Sequence, residues 1–138
     1  MTDPENRVAF DLQAIMPFAK VLGIRVVTAT PSEVRGEMDW AAALCTGGDI
    51  MHGGALMAFA DTLGATCAVL NLPPGASTTT MESKTNFFRP LRGGRARAVT
   101  VPLHVGRTVI VVQTDVRSDD EKRIALVTQT QAVLSRRE

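Results

Sequence analysis

Met51-His52-Gly53-Gly54-Ala55-Leu56-Met57-Ala58-Phe59-Ala60-Asp61-Thr62-Leu63-Gly64-Ala65-Thr66-Cys67-Ala68-Val69-Leu70 is the stretch on which the fold turns. Past His52 it is apolar or small on every side, and Asp61 is its only charge. A helix that is hydrophobic all round belongs inside a core. Its glycines and alanines allow other backbone to approach closely. It is short for a comfortable membrane span, and a carboxylate sits at its middle. A buried carboxylate is costly unless it is paired, hydrogen-bonded or protonated, so Asp61 is the first residue to examine for a function.

The surrounding chain is that of an ordinary soluble protein. Its 138 residues suit one domain, residues 1–138, with a core of useful size. The net charge of +1 gives no electrostatic case for a nucleic-acid or membrane partner. The polar, acidic start, Met1-Thr2-Asp3-Pro4-Glu5, lacks the pattern of a secretory signal, so the cytoplasm is the expected compartment. Cys45 and Cys67 make neither a disulfide framework nor a metal site, and no cofactor is called for.

Upstream, residues 1–9 are polar and expected to fray. Residues 10–22 repeat apolar positions at helical spacing, but Pro17 interrupts them, which predicts two short helices ending at Gly23. Ile24 to Thr30 reads as a strand. Glu33 to Trp40 alternates strictly, with Val34, Gly36, Met38 and Trp40 on one face, and completes a hairpin. Ala41 to Met51 reads as a loop. Downstream of the helix, Asn71-Leu72-Pro73-Pro74-Gly75 is a firm stop. Extended segments follow at about 77–89, 95–105, 108–116 and 123–134. This order predicts an α+β fold, an antiparallel sheet laid against one long helix.

The pattern resembles the hotdog fold. Met51 to Asp61 is similar to the HGG-x6-D/E signature of hotdog acyl-CoA thioesterases. Pro17-Phe18-Ala19 with Leu22-Gly23-Ile24, Asn86-Phe87-Phe88-Arg89-Pro90 and Pro102-Leu103-His104-Val105-Gly106-Arg107 resemble further segments of the family. The branch it resembles contains phenylacetyl-CoA, 4-hydroxybenzoyl-CoA and dihydroxynaphthoyl-CoA thioesterases. The resemblance implies hydrolysis of an acyl-CoA, with an aromatic acyl group in view. A dehydratase-type hotdog enzyme and a non-catalytic acyl-CoA binding protein are the alternatives. No hydratase-type Asp-x4-His spacing is present.

Thioester hydrolysis requires a stabilised oxyanion and an attacking group. Free N–H groups at a helix start supply the first, and Gly53 and Gly54 stand there. A carboxylate in an apolar wall supplies the second, as general base or as nucleophile, and Asp61 is the candidate. The eight residues from Gly53 to Asp61 span about 12 Å of helix with an offset of roughly 80°. One thioester carbon must lie about 3 Å from both groups. A single helix cannot meet that condition. If both residues act, Gly53 of one subunit faces Asp61 of another, which predicts a homodimer with shared sites. The resemblance further implies pairing of dimers into a homotetramer.

Each remaining candidate carries a plainer reading. Asp61 itself can be a structural carboxylate, and Gly53 and Gly54 can serve only tight packing. His52 either caps the helix or touches the thioester. Thr46 stands where the family usually has Asn or Gln to polarise the carbonyl or orient water; Thr46 or nearby Asp49 is the candidate substitute, and Asp49 is equally a helix cap. Thr79 and Thr80 both match, within one residue, a polar position expected on the strand after the helix. Arg89, Arg92, Arg95, Arg97 and Arg107 are candidates for coenzyme A phosphates, and equally for a solvated edge. His104 is expected to pack in its strand.

Overall fold

The structure, a computed structural model, describes residues 11–135. The frayed segment expected at 1–9, Phe10 and the last three residues of the polar tail lie outside the described residues. Pro17 splits the first helical run as its ring geometry requires. Helix α1 (Leu12–Ile15) and helix α2 (Pro17–Leu22) are separated by an extended Met16. Gly23 closes α2 at φ 71°, a left-handed conformation in which a side chain is penalised.

Strands β1 (Arg25–Thr30) and β2 (Glu33–Asp39) form the predicted hairpin. Val34, Gly36 and Met38 of β2 face the core, as their alternation demands. The segment expected as plain loop is more regular than that. Strands β3 (Cys45–Thr46) and β4 (Ile50–Met51) pair with each other, framed by single 3-10 turns at Ala42–Leu44 and Gly47–Asp49. The Trp40 indole N–H donates to the Asp49 carbonyl at 3.0 Å and ties this excursion to the end of β2. Two-residue strands have no periodicity for a sequence pattern to register.

Helix α3 (Gly53–Leu70) follows, then β5 (Ser77–Phe87), β6 (Arg95–Val105), β7 (Val109–Arg117) and β8 (Arg123–Leu134). The main sheet is antiparallel, in the order β1-β2-β6-β7-β8-β5. Helix α3 lies across one face of it and touches all six strands. Phe59, Leu63 and Cys67 are fully buried in a core shared with Val34, Met38, Ile110, Val112 and Val116. Gly36 makes room for this packing, because a Cβ there would meet the Leu63 methyls at 2.8–3.0 Å. The result is the α+β hotdog arrangement.

Two expectations need correction. By length and apolarity α3 would qualify as a membrane span, so its length does not argue against one. Its cover by the sheet is what explains its apolarity. Burial on all sides holds for one face only. Met57, Val69 and Leu70 are exposed and Asp61 is half-buried, because the sheet shields a single side of the helix.

Candidate active site

The start of α3 is built by His52. Its backbone is extended (φ −61°, ψ 133°), and its Nδ1 accepts the Gly54 N–H at 2.7 Å. A ring accepting at Nδ1 carries its proton on Nε2. The His52 N–H is anchored on the Leu44 carbonyl at 2.8 Å, and the His52 carbonyl takes the N–H groups of Ala55 and Leu56. Of the four amides in the first turn, only that of Gly53 has no acceptor among the described residues. The helix therefore presents one free N–H, at the positive end of its dipole. The Phe87 ring lies over Gly53, and a Cβ there would meet the ring at 3.0 Å. A cavity of about 330 Å³ opens beside it, lined by Thr46, Ile50, Leu56, Phe87, Phe88 and Arg89 among others.

Asp61 lies two turns further on, outside that cavity. Its Oδ1 accepts two hydrogen bonds, from Thr80 Oγ1 and from Gln129 Nε2, each at 2.7 Å. Gln131 Nε2 donates to Thr80 Oγ1 at 2.9 Å, and of the two acceptors around that hydroxyl Asp61 Oδ1 at 2.7 Å is nearer than Gln131 Oε1 at 3.2 Å. Its Oδ2 has no hydrogen-bond partner among the described residues. The carboxylate is thus held by one oxygen and offers the other. It sits on the stripe Met57, Asp61, Ala65, Val69, of which Met57 and Val69 are exposed, and Asp61 lies beside β5, whose far edge is unpaired among the described residues.

The structure sorts the sequence candidates. His52 is the helix cap, and Asp49 is not; Asp49 instead adopts φ 59° at the 3-10 turn. The Gly54 amide is taken by His52, so it is not free to meet a ligand. Thr80 reaches Asp61, whereas Thr79 is exposed on the opposite face of β5, since neighbouring strand residues point to opposite sides. Thr46 lines the cavity beside Gly53. Arg89 lines it too, while Arg92 donates to the Gly48 carbonyl at 3.3 Å. Arg95 is engaged by Glu37 and Asp39, and Arg97 by Asp119, so both serve ion pairs on the outer face of the sheet. Arg107 is exposed next to the β6–β7 turn. His104 is exposed at a β-bulge in β6, not packed, because the register shift there turns the strand end outward.

Gln129 and Gln131 escaped the sequence reading. Both are essentially inaccessible to solvent. Extending the alternation from Val127 to Val133 places them on the inward face, and that polar interruption was the available signal. Cysteine chemistry is disfavoured here. Burial pushes the Cys67 thiol up to about 11, and desolvation followed by the Asp49 charge raises Cys45, so both stay protonated near neutrality.

Residues 48–125 match the thioesterase superfamily, a span holding the helix start, Asp61 and Thr80. A relative from Deinococcus radiodurans, described as an esterase by inference, is 33% identical over 110 residues, covering 79% of this chain and 73% of its own. One from Haemophilus influenzae, described in the same way, is 30% identical over 86 residues, and the match spans only 62% of either chain. A mutant thioesterase from Pseudomonas aeruginosa superposes with a TM-score of 0.87 at 26% identity, over 95% of this chain and 96% of that one. A thioesterase family protein from Silicibacter pomeroyi gives 0.85 at 27% identity, over 91% and 95%.

Proposed function

Because the chain belongs to the thioesterase superfamily, we propose that it hydrolyses an acyl-CoA thioester to free acid and coenzyme A. The observation that carries this reading is the state of Asp61. Its carboxylate is held through Oδ1 by Thr80 and Gln129, and its Oδ2 has no hydrogen-bond partner among the described residues. A carboxylate fixed in that way is suited to take a proton from water or to attack a carbonyl.

The reaction runs in balanced steps. With Asp61 as base, Oδ2 takes a proton from water while the water oxygen bonds to the thioester carbon. The carbonyl oxygen becomes an oxyanion and is held by a free amide N–H. Collapse of the adduct breaks the C–S bond, and the coenzyme A thiolate takes the proton from Asp61. With Asp61 as nucleophile, Oδ2 bonds to the carbonyl carbon, the C–S bond breaks and the thiolate leaves; water attacking the Asp61 carbonyl then opens the mixed anhydride, its oxygen staying on Asp61 and its two protons going to the thiolate and the released acid. Single turnover in isotopically labelled water separates the two routes, because only the second places label in the enzyme carboxylate.

The free amide of Gly53 lies on the same helix, about 12 Å from Asp61. The two therefore serve one carbonyl only across an interface, with Gly53 of the partner subunit completing each site. The apolar stripe Met57, Ala65, Val69 and the unpaired edge of β5 adjoin Asp61 and favour a second copy there. One turn beyond Asp61, Ala65, Val69, Leu12, Ile15 and Met16 line an apolar cavity of about 530 Å³. This supports an apolar acyl group, aromatic or aliphatic. Arg89 beside Gly53 suits a phosphate of coenzyme A.

The test is release of thiol from a panel of acyl-CoAs. Asp61→Asn is expected to cut kcat by at least about 100-fold while leaving the thermal midpoint unchanged. Hydrolysis by that variant at the wild-type rate would remove the mechanism.

A further inference from the structure

We infer that Gln129 is the positioning residue of this site. It clamps one oxygen of the Asp61 carboxylate so that the other is left for chemistry. The inference rests on the reading of Asp61 as base or nucleophile. Gln129 comes from β8, 68 residues from Asp61 in sequence, and is only 1% exposed. Its Nε2 donates to Asp61 Oδ1 at 2.7 Å. An amide N–H can only donate, so Asp61 Oδ1 is the acceptor in this contact and its orientation is set by the glutamine.

The other end of the same side chain is what makes a purely structural role a poor account. Gln129 Oε1 is buried and has no hydrogen-bond partner among the described residues. A buried acceptor without a partner costs stability, and an apolar side chain of the same shape would avoid that cost. The molecule has nevertheless made space for it. Oε1 rests against Gly64 of α3, one turn after Asp61 on the helix, at a point where any Cβ would collide with it. A glycine inside a helix is itself unfavourable relative to alanine. Two local losses thus converge on one outcome, a glutamine N–H aimed at Asp61. Thr80 makes the second contact to the same oxygen, and Gln131 Nε2 donates to Thr80 from behind. Together they restrain rotation of the carboxylate about its last bond.

Gln129→Leu removes the N–H and the orphaned oxygen at once. Gln129→Met, unbranched and of similar length, is made beside it to separate a packing fault from loss of the donor. Both are assayed with whichever of acetyl-, hexanoyl- and benzoyl-CoA the wild type hydrolyses fastest. Expected are a kcat lower by about 10- to 100-fold, a KM within about twofold, and a thermal midpoint no lower than that of the wild type. In the Asp61→Asn background neither substitution should slow residual hydrolysis further, since the effect passes through the carboxylate. A folded Gln129→Leu or Gln129→Met with wild-type kcat, while Asp61→Asn is slow, would overturn the inference alone. Loss of stability in both variants would overturn it as well, making Gln129 a core residue. A fast Asp61→Asn would remove the underlying reading and this inference with it.

Discussion

The two faces of α3 have nearly the same composition and opposite fates. One face carries Phe59, Leu63 and Cys67, all fully buried against the sheet. The other carries Met57, Ala65 and Val69 around Asp61, and Val69 is 53% exposed. Apolar character on the first face is explained by folding, because burying those side chains is what holds helix and sheet together. On the second face Met57 and Val69 stay exposed, and Ala65 and Val69 only wall an open cavity with Leu12, Ile15 and Met16. Apolar surface that folding leaves uncovered, with a fixed carboxylate in its middle, is surface kept for association or for a ligand.

The comparison breaks most readily on the covered face. Phe59→Ala is expected to cost about 3 to 5 kcal/mol in denaturant unfolding, since it empties a fully enclosed site. Val69→Asp, on the open face, should leave the stability of the isolated protomer within about 0.5 kcal/mol. Its effect should instead fall on association. Sedimentation should show a shift toward single chains, and hydrolysis should decline in step as the concentration is lowered. If Val69→Asp kept both the assembly and the activity, the open face would have no claim on a partner.

The same contrast explains what could be read without coordinates. Period-two alternation in Val34-Gly36-Met38 and in Ile110-Val112-Thr114-Val116 marks inward positions because a sheet has only two faces. Pro17 divides the first helix for a reason local to its ring. That Gly53 and Asp61 cannot meet within one chain was legible because both lie on one helix at a fixed separation. Which side of that helix is covered depends on the sheet, and composition alone could not say. Gln129 was hidden for a related reason. Its contact to Asp61 joins β8 to α3 across 68 residues of sequence, and only the assembled sheet brings them together. The arginines follow the same rule. Arg95 meets Asp39 because the register of β2 and β6 sets them side by side, which reassigns it from phosphate binding to the outer face.

The helix start sharpens the contrast at smaller amplitude. Gly53 has its amide free and its Cα under the Phe87 ring, which is half-exposed and able to shift. Gly53→Ala should therefore fold normally but tilt the ring and crowd the free N–H, with kcat/KM falling by about tenfold. Adding Phe87→Ala should restore part of that loss by relieving the contact. Recovery measured in the double variant would place the defect in crowding; no recovery would place it in the amide itself.

The smallest effect belongs to the outer face, away from α3. Burial raises the Asp115 carboxyl, but hydrogen bonds from Arg123 and then Arg117 outweigh it, and the group ends below its ordinary value of 3.8. A carboxylate depressed in the folded state adds stability that is complete above its unfolded value. That stability is lost as pH falls through the lower, folded value. Arg123→Leu takes away one of the two cations, so a small part of that stability should be missing at neutral pH, the pair being partly solvent-screened, and the difference from the wild type should fade as pH falls through the folded value. Hydrolysis at neutral pH should be untouched, because this face bears none of the proposed machinery. A matching loss of activity in Arg123→Leu would mean that the two sides of the sheet are coupled, and the division between a structural side and a chemical side would have to be redrawn.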